Sequence, residues 1–385
     1  MSLAAVCFWQ RIVSPHMAGL ASWMAALGYS VTYVSEEIMS AERAALGWTA
    51  PAMPQVTQYS VSSVAGVHAV LESMPSDVVH ICSGVRANGL IGHAQRMLAS
   101  GGLQQWVVME TVEDSGLRGW LKRLEYRRAF ARLLPSLEGV LAIGHSTGEW
   151  LVSLGVPAAR VYPFAYFLSP GEPDADERIG ADAPFRFIYV GQLIRLKRVD
   201  LLLSALNRAS NFDFELLVVG AGPEEVSLRE LAQGLPGLAG RIQWLGTLPM
   251  KDARRMMANA DCLVLPSRYD GWGAVVSEAL IAGTPAICSD ACGSAGVVGA
   301  SGVGHVFRSG SVEDLARCLE LALDDGRPSA SAREATRHWA WSLTAEAGAR
   351  YLIEILESAA TGASAPTPPW GMASLDMGES GSARL

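Results

Sequence analysis

Residues 185–206 read FRFIYVGQLIRLKRVDLLLSAL, and they indicate the fold more directly than any other stretch of the chain. An apolar run, Phe185–Val190, ends at Gly191, a short basic loop follows, and an amphipathic pattern begins near Val199. This order predicts a strand, a loop and a helix, which is one unit of a parallel sheet. Gly191 lets the backbone approach an anion closely, and the start of a helix offers free N–H groups.

Three cations, Arg195, Lys197 and Arg198, occupy the loop of this unit. A cationic loop before a helix start could hold a diphosphate, with Lys197 at its centre. A solvated basic turn between a strand and a helix would have the same composition. The stretch taken alone leaves both interpretations open.

A second stretch, residues 261–290, reads DCLVLPSRYDGWGAVVSEALIAGTPAICSD. It predicts a buried strand, an exposed loop that carries Asp270, and a helix that carries Glu278. Apolar residues surround Glu278, and a carboxylate in such a place needs a donor such as a sugar hydroxyl. The alternative is an acid at a helix start for Asp270 and a surface position for Glu278.

Apolar runs alternate with amphipathic segments over the whole chain, which predicts an α/β protein with two Rossmann-like, doubly wound parallel sheets. The boundaries that we predict are an N-terminal domain at 1–167, a Pro-, Gly- and acid-rich linker at 168–184 and a C-terminal domain at 185–333. A long helical pattern at 334–357 and a disordered tail at 358–385 complete the chain.

Composition excludes several classes of function. Residues 1–170 carry 11 basic and 11 acidic side chains, so the net charge of −8 lies wholly in the remainder, and no basic domain exists to bind nucleic acid. The six cysteines form no CxxC pair, and most lie in predicted strands as reduced, structural thiols. Reduced thiols are typical of the cytoplasm, where we expect the protein to be, and no apolar run is long enough to span a membrane.

The two stretches together resemble the retaining glycosyltransferases of family 4, in glycosyltransferase group 1, which have the GT-B fold. The family patterns VGRL-xxx-KG and EGFG-xxxx-E correspond to VGQLIRLKRVD and DGWGAVVSEAL here. Residues 244–267, WLGTLPMKDARRMMANADCLVLPS, are also similar to the family. The resemblance is strong over 185–298, and it implies two domains that face a cleft and a C-terminal helix that crosses back to the N-terminal domain.

The resemblance also implies roles for individual residues. Lys197 would bind the diphosphate of a nucleotide-sugar donor, Glu278 its ribose hydroxyls, and Asp270 a hydroxyl of the transferred sugar, with Asp270 and Lys197 as catalytic residues. Other donor contacts would come from Gly191, Gln192 and Arg195 in the first loop, from Gly246 and Leu248 beside the base, and from the backbone of Gly271, Trp272 and Gly273.

Three departures from the family pattern keep other functions open. Gln192 replaces a usual arginine, Asp270 is shorter than the usual glutamate, and the loop CGSAG, residues 292–296, lacks an acid found in many relatives. The alternatives are a non-catalytic subunit that binds a nucleotide sugar and an epimerase that acts on one.

The N-terminal half would bind the acceptor. Ser14 and His16 lie where the first helix begins, at the sheet edge where ligands bind in doubly wound folds, although an ordinary helix start is an equal alternative. Glu110 closes a buried strand, and we predict a catalytic role for it.

The implied reaction is hexosyl transfer to a hydroxyl of a glycan, a glycolipid or a small molecule, with retention of anomeric configuration. We expect no cofactor and no metal, because the DxD at Asp174–Asp176 lies in the linker and cationic side chains can stabilise the diphosphate. The resemblance suggests polysaccharide or lipopolysaccharide biosynthesis as the setting.

One basic segment, Leu117–Leu137, carries six Lys and Arg residues interleaved with Trp120, Tyr126 and Phe130. It could dock on the anionic inner face of a membrane and reach a lipid-linked acceptor, which would make the protein peripheral. It could equally be a Rossmann helix with its basic face in water.

Overall fold

A computed structural model describes residues 5–40, 43–44, 49–170 and 183–371. The chain contacts divide it into two compact units. The first contains residues 5–40 with Thr49–Ser169 and Thr344–Pro369, and the second contains residues 183–343. Most of the predicted linker, with Asp174–Asp176, and residues 372–385 of the predicted tail lie outside the described residues.

The first unit is built on a seven-stranded sheet in which every neighbouring pair is parallel. Its strand order is β3-β2-β1-β4-β5-β6-β7. The strands are β1 (Ala5–Ile12), β2 (Ser30–Glu37), β3 (Thr57–Ser60), β4 (Val79–Ser83), β5 (Gln105–Glu110), β6 (Leu137–Ile143) and β7 (Val161–Phe164). The helices between them are α1 (Pro15–Ala26), α2 (Val64–Glu72), α3 (Gly89–Ser100), α4 (Gly116–Leu133) and α5 (Thr147–Ser153).

The second unit has a six-stranded parallel sheet of order β10-β9-β8-β11-β12-β13. Its strands are β8 (Phe185–Val190), β9 (Phe214–Val219), β10 (Ile242–Gly246), β11 (Cys262–Leu265), β12 (Ala286–Ser289) and β13 (Gly304–Phe307). Its helices are α6 (Val199–Arg208), α7 (Glu225–Gln233), α8 (Met250–Ala258), α9 (Ala274–Ile281), α10 (Ala295–Ser301), α11 (Val312–Asp325) and α12 (Ala330–Ala340).

The predicted fold class is confirmed, because both sheets are parallel and each is doubly wound. Central strands such as β8 and β9 are buried almost throughout, and their neighbouring helices cover them with apolar side chains. Burial on both faces is the reason why these strands appear in the sequence as continuous apolar runs.

The predicted long helix over residues 334–357 is in fact two helices. α12 ends at Ala340, a turn of 3-10 helix follows at Trp341–Leu343, and Thr344 begins the last helix, α13 (Ala345–Thr361). The Thr344 side chain accepts a hydrogen bond from the backbone N–H of Ala347, which fixes this new start. Such a break is invisible in the apolar periodicity, which continues through it.

The last helix returns to the first unit, as the predicted fold class requires. α13 packs against α1, where a Cβ added to Gly19 would lie 3.0 Å from the Cβ of Ala345. The Tyr351 hydroxyl donates a 3.0 Å hydrogen bond to the carbonyl oxygen of Pro163 in β7. Within the described ranges, no helix has the length and apolar character needed to cross a membrane.

Candidate functional site

Two loops meet at the point where the strand order of the second sheet reverses. β8 lies between β9 and β11, and the chain winds outward from this point in both directions. Ligands of open parallel sheets bind beyond the carboxyl ends of the strands at such a reversal. The loop after β8 carries Lys197 and the loop after β11 carries Asp270, so the topology places both predicted site residues at this edge.

The two loops are joined by an ion pair. Lys197 Nζ lies 2.5 Å from Asp270 Oδ2, and the two side chains keep 21% and 17% of their surface exposed. A backbone hydrogen bond of 2.8 Å, from the N–H of Arg268 to the carbonyl oxygen of Leu196, holds the same loops together. Lys197, predicted to bind the diphosphate, and Asp270, predicted to bind the sugar, are therefore in contact and remain accessible to a ligand.

Glycines bring the backbones of the surrounding loops into direct contact. A Cβ on Gly220, at the end of β9, would lie 1.9 Å from the carbonyl oxygen of Gly191. A Cβ on Gly293 would lie 1.9 Å from that of Gly271. No larger residue fits at Gly220 or Gly293, and the predicted donor loops depend on this close packing.

The loop that carries Asp270 is tied to the CGSAG loop through the backbone. The N–H of Gly293 donates to the carbonyl oxygen of Asp270 at 2.9 Å, and the N–H of Ser294 donates to that of Trp272 at 2.8 Å. The Trp272 side chain is buried and donates a 3.0 Å hydrogen bond to Ser277 Oγ. These contacts fix the backbone ahead of α9, whose N-cap residue is Gly273, with a φ of 88° and no side-chain cap.

Glu278 has a partner that the sequence analysis missed. Arg254, on α8, donates from Nε and Nη2 to Glu278 Oε1 at 3.2 and 3.1 Å. Burial raises the pKa of Glu278, and the Arg254 guanidinium opposes that rise in pKa. The carboxylate that looked out of place on an apolar helix is therefore paired with a cation on the neighbouring helix.

The other cations of the first loop are held by acids of their own. Arg198 makes a forked contact with Asp200, with its Nε 3.0 Å from Oδ1. Arg195 is 90% exposed, and its Nε lies 3.4 Å from Glu224 Oε1. Lys197 is thus the loop cation whose partner is itself a predicted site residue.

The remaining predicted donor contacts lie at the same sheet edge. The carbonyl oxygen of Gln192 accepts a 2.7 Å hydrogen bond from the Tyr189 hydroxyl. Gly246 ends β10 with a φ of 66°, and its carbonyl oxygen accepts a 2.7 Å hydrogen bond from the N–H of Gly220. Leu248 follows in the next turn and is half-buried.

Three predicted residues belong to the first unit. Ser14 is buried and precedes α1, and the ring of His16 stacks on that of Tyr166 with 3.9 Å between the centroids. Burial lowers the pKa of His16, and the charge of Arg43 lowers the pKa further. Glu110 ends β5 and is half-buried. β1 and β5 are parallel members of one sheet, so all three residues lie at its carboxyl edge.

Residues 173–339 match the family model of the glycosyl transferases group 1. This segment, which is less than half of the chain, is therefore similar to the glycosyl transferases of group 1. It contains every residue of the Lys197–Asp270 and Arg254–Glu278 pairs. The group 1 assignment agrees with the resemblance drawn from the sequence.

Two relatives from Streptomyces kanamyceticus match parts of the chain. A 2-deoxystreptamine glucosyltransferase of Streptomyces kanamyceticus is 34% identical over 127 residues, 33% of this chain and 33% of the relative. An alpha-D-kanosaminyltransferase of the same organism is 27% identical over 245 residues, 60% of each chain. The chain thus spans between a third and three fifths of the length of these relatives.

The fold is similar to solved structures over nearly the whole chain. The crystal structure of Anabaena Alr3699/HepE in complex with UDP superimposes on this chain with a TM-score of 0.67 and 16% identity. The match covers 92% of this chain and 100% of the other. The likeness extends over both units, so the architecture is that of the GT-B glycosyltransferases.

Proposed function

We propose that this protein is a retaining glycosyltransferase that moves a hexose from a nucleotide diphosphate-sugar to a hydroxyl of an acceptor. The observation that supports the proposal most is the meeting of Lys197 and Asp270 at the reversal point of the second sheet. A diphosphate needs a cation, and a sugar needs a carboxylate beside it, and this site offers both within one hydrogen-bond length.

In the proposed reaction the bond between the anomeric carbon and the diphosphate oxygen breaks. A bond from the acceptor oxygen to the same face of that carbon forms, which retains the configuration. The acceptor proton passes to the departing diphosphate. Lys197 stabilises the negative charge that develops on the diphosphate, which is the electrostatic role that contributes most in many enzymes.

Donor binding would exchange the partners of the ion pair. The diphosphate takes the place of Asp270 at Lys197, and Asp270 then accepts a hydrogen bond from a hydroxyl of the bound sugar. The partial exposure of both side chains permits this exchange without opening the core. The ribose hydroxyls would donate to Glu278, whose carboxylate is paired with Arg254.

The acceptor class rests on other observations. Ser14, His16 and Glu110 at the carboxyl edge of the first sheet offer a hydroxyl, an aromatic ring and a carboxylate to an acceptor. The names of the two Streptomyces relatives describe transfer of glucose and of kanosamine, in the first case to 2-deoxystreptamine. The acceptors that we propose are a glycan, a glycolipid or a small molecule, in a cytoplasmic pathway of polysaccharide or lipopolysaccharide assembly.

A panel of UDP-, GDP- and dTDP-hexoses, incubated with candidate acceptors, tests the proposal. We expect release of the nucleoside diphosphate with one donor, a transferred sugar whose anomeric configuration matches that of the donor by NMR, and the same rate in EDTA. The side chains at the site supply the positive charge, so the rate should not depend on added Mg²⁺ or Mn²⁺.

The same panel separates the alternatives. Conversion of one nucleotide sugar into its epimer without transfer would identify an epimerase. Tight binding without turnover of any donor would identify a non-catalytic binding subunit. Activity lost in EDTA and restored by a divalent ion would contradict the role proposed for Lys197.

Replacement of Arg254 by Gln should make nucleotide binding fail at a higher pH than in the parent protein. The charge of Arg254 lowers a Glu278 pKa that burial raises, so its removal allows the pKa to rise further. Ribose binding needs the carboxylate, and affinity is therefore lost as the pH falls through that pKa. Calorimetric titration with the preferred nucleoside diphosphate across the acidic range measures the shift.

Arg255 provides the matched control for this prediction, because it follows on the same helix, is exposed and has no side-chain hydrogen bond or ion pair among the described residues. Arg255→Gln should keep the parent pH profile, and Arg254→Lys should restore part of it. An unchanged profile in Arg254→Gln would show that Arg254 does not set the charge of Glu278.

A further inference from the structure

The outward face of α4 combines exposed apolar and basic side chains. The buried residues of this helix, Gly119, Tyr126, Phe130 and Leu133, form one stripe against the first unit. With 100° between successive residues, Leu117, Leu121 and Arg128 project from the opposite side. The face is therefore directed away from the core that the helix covers.

Large apolar side chains occupy the N-terminal half of this face. Leu117 is 87% exposed, Trp120 62% and Leu121 54%. Residues three and four apart on a helix are neighbours, so these three form one contiguous apolar patch. Single exposed apolar residues are ordinary on a soluble protein, but a patch that includes tryptophan indicates an interaction surface.

Unpaired cations occupy the C-terminal half. Arg127, Arg128 and Arg132 are exposed, and their side chains have no ion pair or hydrogen bond within the described part of the chain. We call these three the basic patch. The only acid on the helix, Glu125, is paired with Arg86. The outward face thus carries positive charge that nothing nearby neutralises.

The structure separates these cations from two that hold the helix in place. Lys122 Nζ donates to the carbonyl oxygen of Glu113 at 3.0 Å, and Arg123 Nη1 lies 2.9 Å from Asp114 Oδ2. Replacing Lys122 or Arg123 would disturb the fold of the first unit. Replacing the arginines of the basic patch breaks no contact of this kind, so the binding role of the surface can be tested in a folded protein.

We propose that this face docks on an anionic lipid bilayer. The apolar patch enters the interfacial zone, where tryptophan and leucine are favoured, and the basic patch contacts the lipid phosphates. The helix has 18 residues and would lie along the surface rather than cross it. The proposal is independent of the proposed sugar transfer, since it uses residues of the first unit that have no part in that reaction.

Charge complementarity favours lipid over the other possible occupants. A second copy of the chain with its helix parallel to α4 would place one basic patch against the other, and an antiparallel copy would place the arginines against apolar side chains. A nucleic acid would gain from the arginines but would leave the apolar patch in water. An anionic bilayer satisfies both halves of the face at once.

Co-sedimentation of the full-length protein with vesicles tests the proposal. We expect binding to phosphatidylcholine vesicles that contain phosphatidylglycerol, little binding to phosphatidylcholine alone, and release by added salt. Arg127→Gln with Arg128→Gln should weaken partitioning about 30-fold, from the contribution of each arginine near such a surface. Trp120→Ser with Leu121→Ser should weaken it by about ten-fold or more.

The matched control is Lys251→Gln with Arg255→Gln, which removes the same charge from two exposed positions of α8 and should bind as the parent does. Unchanged thermal unfolding shows that each variant is folded. Equal binding to both vesicle types, binding to neither, or an equal loss in the control would overturn the proposal. Self-association that disappears in the Trp120 and Leu121 variant would assign the face to a second copy instead.

Discussion

Lys197→Ala should reduce kcat/KM for sugar transfer by at least two orders of magnitude while the protein stays folded. A charge-assisted contact is worth about 1.5–3 kcal/mol, and loss of a group that stabilises developing charge lowers kcat by about 10²–10³. The lysine lies in a loop and packs in neither hydrophobic core, so thermal unfolding should change little. Steady-state kinetics with the preferred donor measures the effect.

Two other cations provide the comparison for Lys197. Lys251 is exposed on α8, and Lys251→Ala should have the kinetics of the parent protein. Arg195 lies in the same loop but is 90% exposed and paired with Glu224, so Arg195→Ala should lower kcat/KM by less than about ten-fold. A Lys197 variant with the kinetics of the parent would remove this residue from the site.

Glu278→Gln should weaken binding of the free nucleoside diphosphate by about 10- to 150-fold, which corresponds to about 1.5–3 kcal/mol for hydrogen bonds to a charged group. Glutamine keeps the shape but loses the charge, and it leaves the Arg254 guanidinium without its partner. Isothermal calorimetry with UDP, GDP and dTDP gives the affinities. The exposed Glu230 on α7 provides the control, because Glu230→Gln should bind as the parent does.

Asp270→Asn should separate nucleotide binding from transfer. Its proposed partner is the sugar, so transfer should fall while the free diphosphate binds at least as tightly as to the parent, since Lys197 is released from its ion pair. Equal affinities in the parent, the Asp270 variant and the Glu278 variant would remove Glu278 from the nucleotide site.

The sequence predicted the architecture well where burial leaves a local pattern. Strands covered on both faces appear as apolar runs, and this is why the central strands of both sheets could be located. β3 was not predicted, because Thr57–Ser60 is an exposed edge strand of four residues with no apolar run. β13 was also missed, since it is short, begins with glycine and is only partly buried.

The candidate site was predictable residue by residue but not in its pairings. Lys197, Asp270 and Glu278 could be selected from their match to the family patterns, and each lies in a loop or helix that follows a strand. The contact of Glu278 with Arg254 joins two helices, and the two residues are 24 positions apart in the sequence. The periodic pattern of apolar residues within one helix cannot predict such a contact. The contact between Lys197 and Asp270 depends on which two strands lie side by side, which only the sheet order reveals.

The return of α13 to the first unit has a consequence for synthesis of the protein on the ribosome. Residues 170–343 are made after the first sheet and before the helix that covers α1. At ordinary translation rates of about 5–20 residues per second, that interval is about 9–35 s. The α1 surface around Gly19 therefore stays uncovered while residues 170–343 emerge. The second unit can fold during this interval, before α13 is made and completes the first unit.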